Sequence, residues 1–312
     1  MVINNFIKFI RWAIPPAIFN VISYYKFSAI FFNLRHYELI QANKKIQNRH
    51  KGQRCFILCN GPSVKSQNIK CLRGEIVFSV SNGHYHPDFN YIKPKYHCIP
   101  QVSFFEGSKD LKNNFLSPVP RSSYNGKHIP QKTYNTYSEV VKWFDEIDNS
   151  IGNAEIFLSY QEFNLVKKNN LFRGRECHFL CMGKNYFSFL NNPPDLSGII
   201  PSVQSVPIMS LMIAMYMGFS EIYLLGTDHD WFVKKEYSYF YGKGVTKLDP
   251  KCVMDHKDLD LLLDELPIIE KLFYQYRRIN KIAKANRIKI YNATNGGMLD
   301  EFERVNFEKL FA

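Results

Sequence analysis

The aromatic and aliphatic N-terminal stretch of this sequence is too short to cross a bilayer. Its longest uncharged run, Trp12 to Tyr25, has 14 residues and is interrupted by Pro15-Pro16, whereas a spanning helix needs about 20. No small-residue cleavage site follows an apolar region, so a secretory leader is not expected either. Acidic residues are nearly missing from the same region: eight Lys or Arg stand against Glu38 alone in residues 1–51, a local charge of +7. The whole chain carries +12, which leaves about +5 for everything that follows. This positive charge sits among bulky aliphatic residues and not along a polar groove, which argues against nucleic acid as a partner.

The cysteines lack both an even count and a turn-borne C-x2-C pair. Seven cysteines without a leader point to reduced thiols in a cytoplasmic compartment. Cys55 with Cys59 and Cys177 with Cys181 are spaced C-x3-C inside apolar runs, so each pair falls on one strand face and reads as small buried hydrophobes. Zinc is disfavoured at both.

Basic side chains alternate with Phe, Ile, Trp and Tyr at near-helical spacing through residues 1–51. That pattern suits a segment lying in a lipid interface and equally suits a terminal helical pair packed on a core. We set the domain boundary at 51/52: a basic amphipathic membrane-associating segment over 1–51, then a domain over 52–312. Peripheral placement on the cytoplasmic face of the inner membrane is the localisation expected.

A chain with 46% hydrophobic and 15% aromatic residues can bury a large core. Beyond residue 52, short apolar strands alternate with helices, the pattern of a mostly parallel, Rossmann-like α/β sheet with helices on both faces. Strands are expected at 54–59, 75–80, 96–99, 155–159, 177–181, 221–225 and 287–291. Helices are expected at 206–218, apolar all round, and at 259–286, where Leu262, Leu266, Ile269, Phe273, Tyr276, Ile279 and Ala283 recur at helical spacing. The polar stretch 105–150 has weak periodicity and is expected to be an insertion or lid.

In such a sheet ligands sit beyond the carboxyl ends of the strands. The first strand ends in "NGPS", Asn60-Gly61-Pro62-Ser63. Gly61 allows close backbone approach, and the turn can hold a phosphate on amide N–H groups. A plain strand-to-helix turn bent by Pro62 fits the same residues. Asn82, in "SNGHY" after the second strand, can meet a base or sugar edge. Ser202 or Ser205 can cap the helix that begins near Pro207, whose N-terminus is a natural anion site. The strand "EIYLLG" then runs into Gly226-Thr227-Asp228-His229-Asp230. Two carboxylates and an imidazole can hold a divalent metal, although adjacent side chains on an extended chain diverge.

These segments, "NGPSVK", "SNGHY", "AMYMGFSEIYLLGTD" and "DHKDLDLLLDEL", follow the order found in a known family. The chain resembles the bacterial CMP-sialic acid-dependent sialyltransferases of glycosyltransferase family 42. It also resembles the related group of methopterin pyrophosphokinase-like proteins and flagellin nonulosonate transferases. The resemblance covers roughly residues 53–292 and implies a variant GT-A domain that binds a CMP-sugar donor with no obligatory metal or other cofactor. It places the donor on Asn60, Gly61, Pro62, Ser63, Asn82, Ser205, Gly226 and Asp228, and it puts His256 at the general base. Where the family sets a tyrosine against the leaving phosphate, this chain has Asp230, and Tyr237, Tyr239 or Tyr241, aided by Lys243, are the substitutes expected.

The function implied is an inverting transfer of a sialic acid-like sugar from CMP to a glycan or lipid-linked oligosaccharide acceptor. Helix N-terminal amides and Tyr hydroxyls suit the departing phosphate, and a neutral His suits the attacking hydroxyl. One alternative is a magnesium-dependent pyrophosphokinase or phosphotransferase with Asp228 and Asp230 as metal ligands. Another is a membrane-associated scaffold without catalysis.

Overall fold

The computed structural model describes residues 37–99, 105–106, 135–183, 192–234, 239–242 and 260–312. The segment 1–36, Tyr237, Lys243 and His256 lie outside these residues. Among the described residues no helix is long and apolar enough to cross a membrane.

Nine strands form one sheet: β1 Arg54–Leu58, β2 Val77–Val80, β3 Tyr96–Cys98, β4 Glu155–Ser159, β5 Cys177–Gly183, β6 Ile199–Pro201, β7 Glu221–Leu225, β8 Lys289–Asn292 and β9 Glu303–Arg304. Their order across the sheet is β9-β8-β7-β1-β2-β3-β4-β5-β6, and every neighbouring pair is parallel. This is the α/β class expected. The seven expected strands are all present, and β6 and β9 are additions at the two edges. A separate two-residue pair joins 105–106 to 135–136.

Both faces of the sheet are covered, which is why its central strands read as unbroken apolar runs. On one face Cys55, Ile57 and Cys59 join a core with helix Val206–Tyr216 and Leu272, Tyr276, Ile279 and Ala283 of helix Asp260–Ala285. The first of these helices is buried from Pro207 to Tyr216. On the second helix Leu266, expected on the apolar face, is exposed, and Leu272 and Ile282 are buried instead. On the opposite face Phe56 and Leu58 pack with Phe307.

The stretch expected to be a lid over 105–150 contributes to the core at its C-terminal end. Helix Tyr137–Ser150 buries Val140, Trp143, Phe144 and Ile147 against Ile156 and Leu158 of β4 and Phe179 of β5. Those four side chains follow i, i+3, i+4, i+7 spacing, one face of a helix. Their burial stabilises by about 6–12 kcal/mol gross, before the entropy of ordering the segment is subtracted.

The domain also begins earlier than residue 52. Ile40 and Ile46 are fully buried, and the Asn43 amide donates to the carbonyls of Phe179 (2.8 Å) and Leu196 (3.0 Å). His50 bonds Gln53 (2.5 Å) and the Tyr96 hydroxyl (2.6 Å) and stacks on Phe219. Arg49 donates to both oxygens of Glu155 at 2.7 Å, and Lys45 pairs with Glu176. Residues 38–50 therefore belong to the α/β domain, and part of the N-terminal positive charge is consumed in its ion pairs.

Candidate functional site

β1 and β7 lie side by side at the centre of the sheet, yet the chain leaves β1 toward β2 and reaches β7 only after crossing back from β6 at the far edge. The strand order reverses between them, and loops leaving such a pair part to open a crevice. Their register places Leu58 opposite Leu225, so both carboxyl ends are level. The ladder continues past them, with Cys59 N–H donating to Leu225 O (2.8 Å) and Gly61 N–H to Gly226 O (2.9 Å).

A cavity of about 330 Å³ opens at this point, within the usual size range of small-molecule sites. Asn60, Gly61, Pro62, Ser205, Gly226, Asp228 and Tyr239 from the expected set all line it. Trp231 and three residues of the long helix, Ile268, Ile269 and Leu272, close it with apolar surface. Val206 and Pro207 also line it, so the first turn of their helix opens on the cavity. Ser205 occupies the N-cap position, but its side chain makes no capping hydrogen bond; its Oγ lies 3.5 Å from the Tyr276 hydroxyl.

The turn after β1 is fastened to the loop after β7. Asp228, 6% exposed, accepts from the Ser63 amide (3.1 Å) and the Ser63 hydroxyl (2.8 Å). Gly61 N–H is committed to Gly226 O, and Val64 N–H to Gly61 O (3.3 Å). Pro62 has no N–H. The amides of Gly61, Ser63 and Val64, expected to be available to a phosphate, are thus already paired within the protein.

Two glycines explain how closely the loops approach. A Cβ on Gly61 would overlap Asp228 Oδ2 and lie 2.5 Å from Gly226 O, so the space beside Gly61 is filled by the protein's own carboxylate. Gly226 has φ +68, and a Cβ there would lie 2.6 Å from Val64 Cγ2 and 2.7 Å from Cys59 O. Met298 N–H donates to Asp228 O at 2.7 Å, and Thr227 bonds Thr294 through both N–H (3.1 Å) and Oγ1 (2.9 Å).

The three polar side chains after β7 diverge. Asp228 turns to Ser63. His229, with φ +47, places Nε2 2.7 Å from the Tyr276 hydroxyl. Asp230 holds Lys234 Nζ at 2.5 Å. Burial raises the Asp228 carboxyl above its ordinary range, Asp230 adds to the rise, and the Ser63 donors pull it back. Burial lowers His229 to about 4 against a smaller opposing pull from Asp230, so its imidazole is neutral near pH 7. Burial likewise raises the Tyr276 phenol.

Asn82 lies outside the cavity lining. It donates to the Tyr241 hydroxyl at 3.2 Å and accepts from Trp143 Nε1 at 2.7 Å. Tyr239 and Tyr241 are stacked, ring centres 5.1 Å apart and 11° from coplanar. Phe240 N–H between them donates to Asn60 O at 3.0 Å, which ties this short segment to the turn after β1. The sequence does not mark Tyr276 or Lys234 as site residues. Tyr276 stood out there only as one member of a helical stripe, while the i,i+4 spacing of Asp230 and Lys234 was a readable sign.

Glu155, Glu176 and His178 offer ligand atoms within 4.8 Å of one another. They stand at the amino ends of β4 and β5, away from the cavity, and Arg49 and Lys45 already neutralise both carboxylates. His178 Nε2 bonds Glu155 Oε2 at 2.8 Å.

No protein-family model and no curated protein sequence matches the chain. A solved structure of the sialyltransferase CstII from Campylobacter jejuni, in complex with a substrate analogue, cytidine-5′-monophosphate, is similar over 82% of this chain and 85% of that one. Identity is 18% and the TM-score 0.35. The class of this protein accordingly rests on its own strand order: a parallel α/β sheet with a cavity at the reversal between β1 and β7.

Proposed function

We propose that this protein is a glycosyltransferase that moves a sialic acid-like sugar from a CMP-activated donor to a glycan acceptor. The observation that carries the reading is convergence. Segments 60–62, 205–207 and 226–230, widely separated in sequence, share one cavity at the reversal of strand order; the first and the third overlap "NGPSVK" and "AMYMGFSEIYLLGTD", two of the four motifs that carry the resemblance, and the resemblance also assigns Ser205 to the donor. His256, in "DHKDLDLLLDEL", is the proposed general base, on that resemblance alone.

The chemistry sets requirements that the cavity partly meets. The donor carries a phosphodiester and a sugar carboxylate, and its leaving group gains a further negative charge as the anomeric carbon–oxygen bond breaks. Apolar walls from Trp231, Ile268, Ile269 and Leu272 lower the local dielectric, which strengthens any charge interaction inside. Two carboxylates, Asp228 and Asp230, line the same cavity. Each is committed, to Ser63 and to Lys234, which weighs against their acting together as ligands of a catalytic magnesium.

Thermal stabilisation by CMP, CDP, UDP and ATP, each with and without magnesium, tests the reading, because stabilisation follows affinity for the folded state. CMP is expected to raise the melting temperature with or without magnesium. Stabilisation by ATP with magnesium and not by CMP would replace this reading with a phosphotransferase, and no response to any nucleotide would favour a scaffold.

A further inference from the structure

The described part of the cavity has no cation of its own in its lining. Among the described residues, no lysine or arginine lines it, the amides of the turn after β1 are spent, and His229 is neutral. What the cavity does hold is Asp230, and through it Lys234. Asp230 is the fourth residue before Lys234, and its carbonyl accepts the backbone N–H groups of both Val233 and Lys234 at 3.0 Å. This turn brings the ammonium to Asp230 Oδ2 at 2.5 Å. The Asp230 carboxylate, which lines the cavity, is 14% exposed, while the Lys234 side chain, outside the lining, is 56% exposed, so the ammonium reaches the cavity's edge only through this pair. The Asp228 carboxylate adds a weaker pull on the same ammonium.

We propose that Lys234 is the phosphate-binding residue of this cavity, held at the rim by Asp230 and moving onto the phosphate of the bound donor. The inference rests on the glycosyltransferase reading and deepens it. It also gives the aspartate at position 230 a role: a carboxylate that would repel a phosphate by itself becomes the anchor for the cation that attracts one. A lysine ammonium has three N–H donors on a flexible four-carbon stem, so it can keep one bond to Asp230 while directing others to phosphate oxygens. In the transfer, the bond from the anomeric carbon to the phosphate oxygen breaks and its electron pair goes to that oxygen. The acceptor oxygen forms the new bond to the anomeric carbon, and the acceptor proton goes to the general base. Lys234 neither gains nor loses a proton; it opposes the second negative charge that appears on CMP.

The test is calorimetric titration of the full chain with cytidine, CMP and inorganic pyrophosphate, in wild type, Lys234→Ala, Lys234→Arg and Asp230→Asn. Lys234→Ala is expected to weaken CMP and pyrophosphate about tenfold, the scale of one charge-assisted contact, and to leave cytidine within about twofold. Lys234→Arg should restore most of the loss, and Asp230→Asn, which takes the charge from the anchor of the ammonium, should weaken CMP and pyrophosphate in the same sense as Lys234→Ala, again with cytidine within about twofold. An unchanged ratio of CMP to cytidine affinity in Lys234→Ala overturns the assignment, as does an equal loss of both ligands. If wild type binds neither cytidine nor CMP but binds pyrophosphate in a Lys234-dependent way, the nucleotide reading fails and the assignment of Lys234 stands. Pyrophosphate binding that ignores Lys234 in that case overturns both.

Discussion

Alanine at position 61 should be far more damaging than a glycine-to-alanine change in an ordinary turn, and its cost should depend on Asp228. The added Cβ overlaps Asp228 Oδ2 and meets Gly226 O at 2.5 Å. The carboxylate can rotate away, but only by giving up both hydrogen bonds from Ser63. Bonds to an ionised acceptor contribute about 1.5–3 kcal/mol each, and the burial that raises the Asp228 carboxyl offsets part of this. A net value of about 2 kcal/mol for the pair is reasonable on that scale. Backbone displacement at Gly226 adds about 1–3 kcal/mol, as overpacking typically does. Gly61→Ala should therefore cost about 3–5 kcal/mol, and Asp228→Ala about 2 kcal/mol. In the double variant the Ser63 contacts can be lost only once, so its cost should fall short of the sum by about 2 kcal/mol. Urea denaturation of the four proteins, followed by tryptophan fluorescence, measures this directly. Additivity within about 0.5 kcal/mol would show that Gly61 and Asp228 are not in the steric conflict described.

His229 makes stability depend on pH in a definite direction. Its folded value of about 4 lies below the unfolded value of about 6.5, so between these limits the unfolded chain binds the extra proton. Stability is then full above about pH 6.5 and falls as pH drops toward 4. His229→Asn, which tolerates the left-handed backbone and does not titrate, should lose about 3 kcal/mol less than wild type over that window, and parallel denaturation profiles would refute the assignment. For the proposed base, His256→Ala should reduce turnover by about 10²-fold or more with donor binding little changed. Turnover near wild type would remove His256 from the mechanism.

The interior strands were legible in the sequence because burial on two faces forces continuous apolar runs, as in "CFIL" of β1 and "IYLL" of β7. The edge strands were not. β6 has three residues ending in Pro201 and β9 only Glu303-Arg304, too little chain to show a period. Helix Tyr137–Ser150 has its period in Val140, Trp143, Phe144 and Ile147, but the charged residues between them dominate the local composition and obscure it. At the site, the turns were visible as glycine and asparagine clusters after strands. Their occupancy was not, since Ser63 and Asp228 are 165 positions apart and only the sheet register brings them into contact. The same holds for His229 and Tyr276, whose pairing depends on how the last long helix crosses the sheet face.

The brevity of β6 and β9 has a consequence for the behaviour of the protein in a crowded solution. A sheet that does not close on itself leaves a row of unpaired backbone groups along each border, where a foreign strand can dock and begin an aggregate. Here one border is a two-residue stub carrying exposed charges of both signs, Glu303 and Arg304. The other is three residues long and ends in Pro201, which has no N–H to offer. The strongly apolar strands beside the cavity, β1 and β7, are interior to the sheet, so among the described residues the two edge strands offer a passing chain only short ladders.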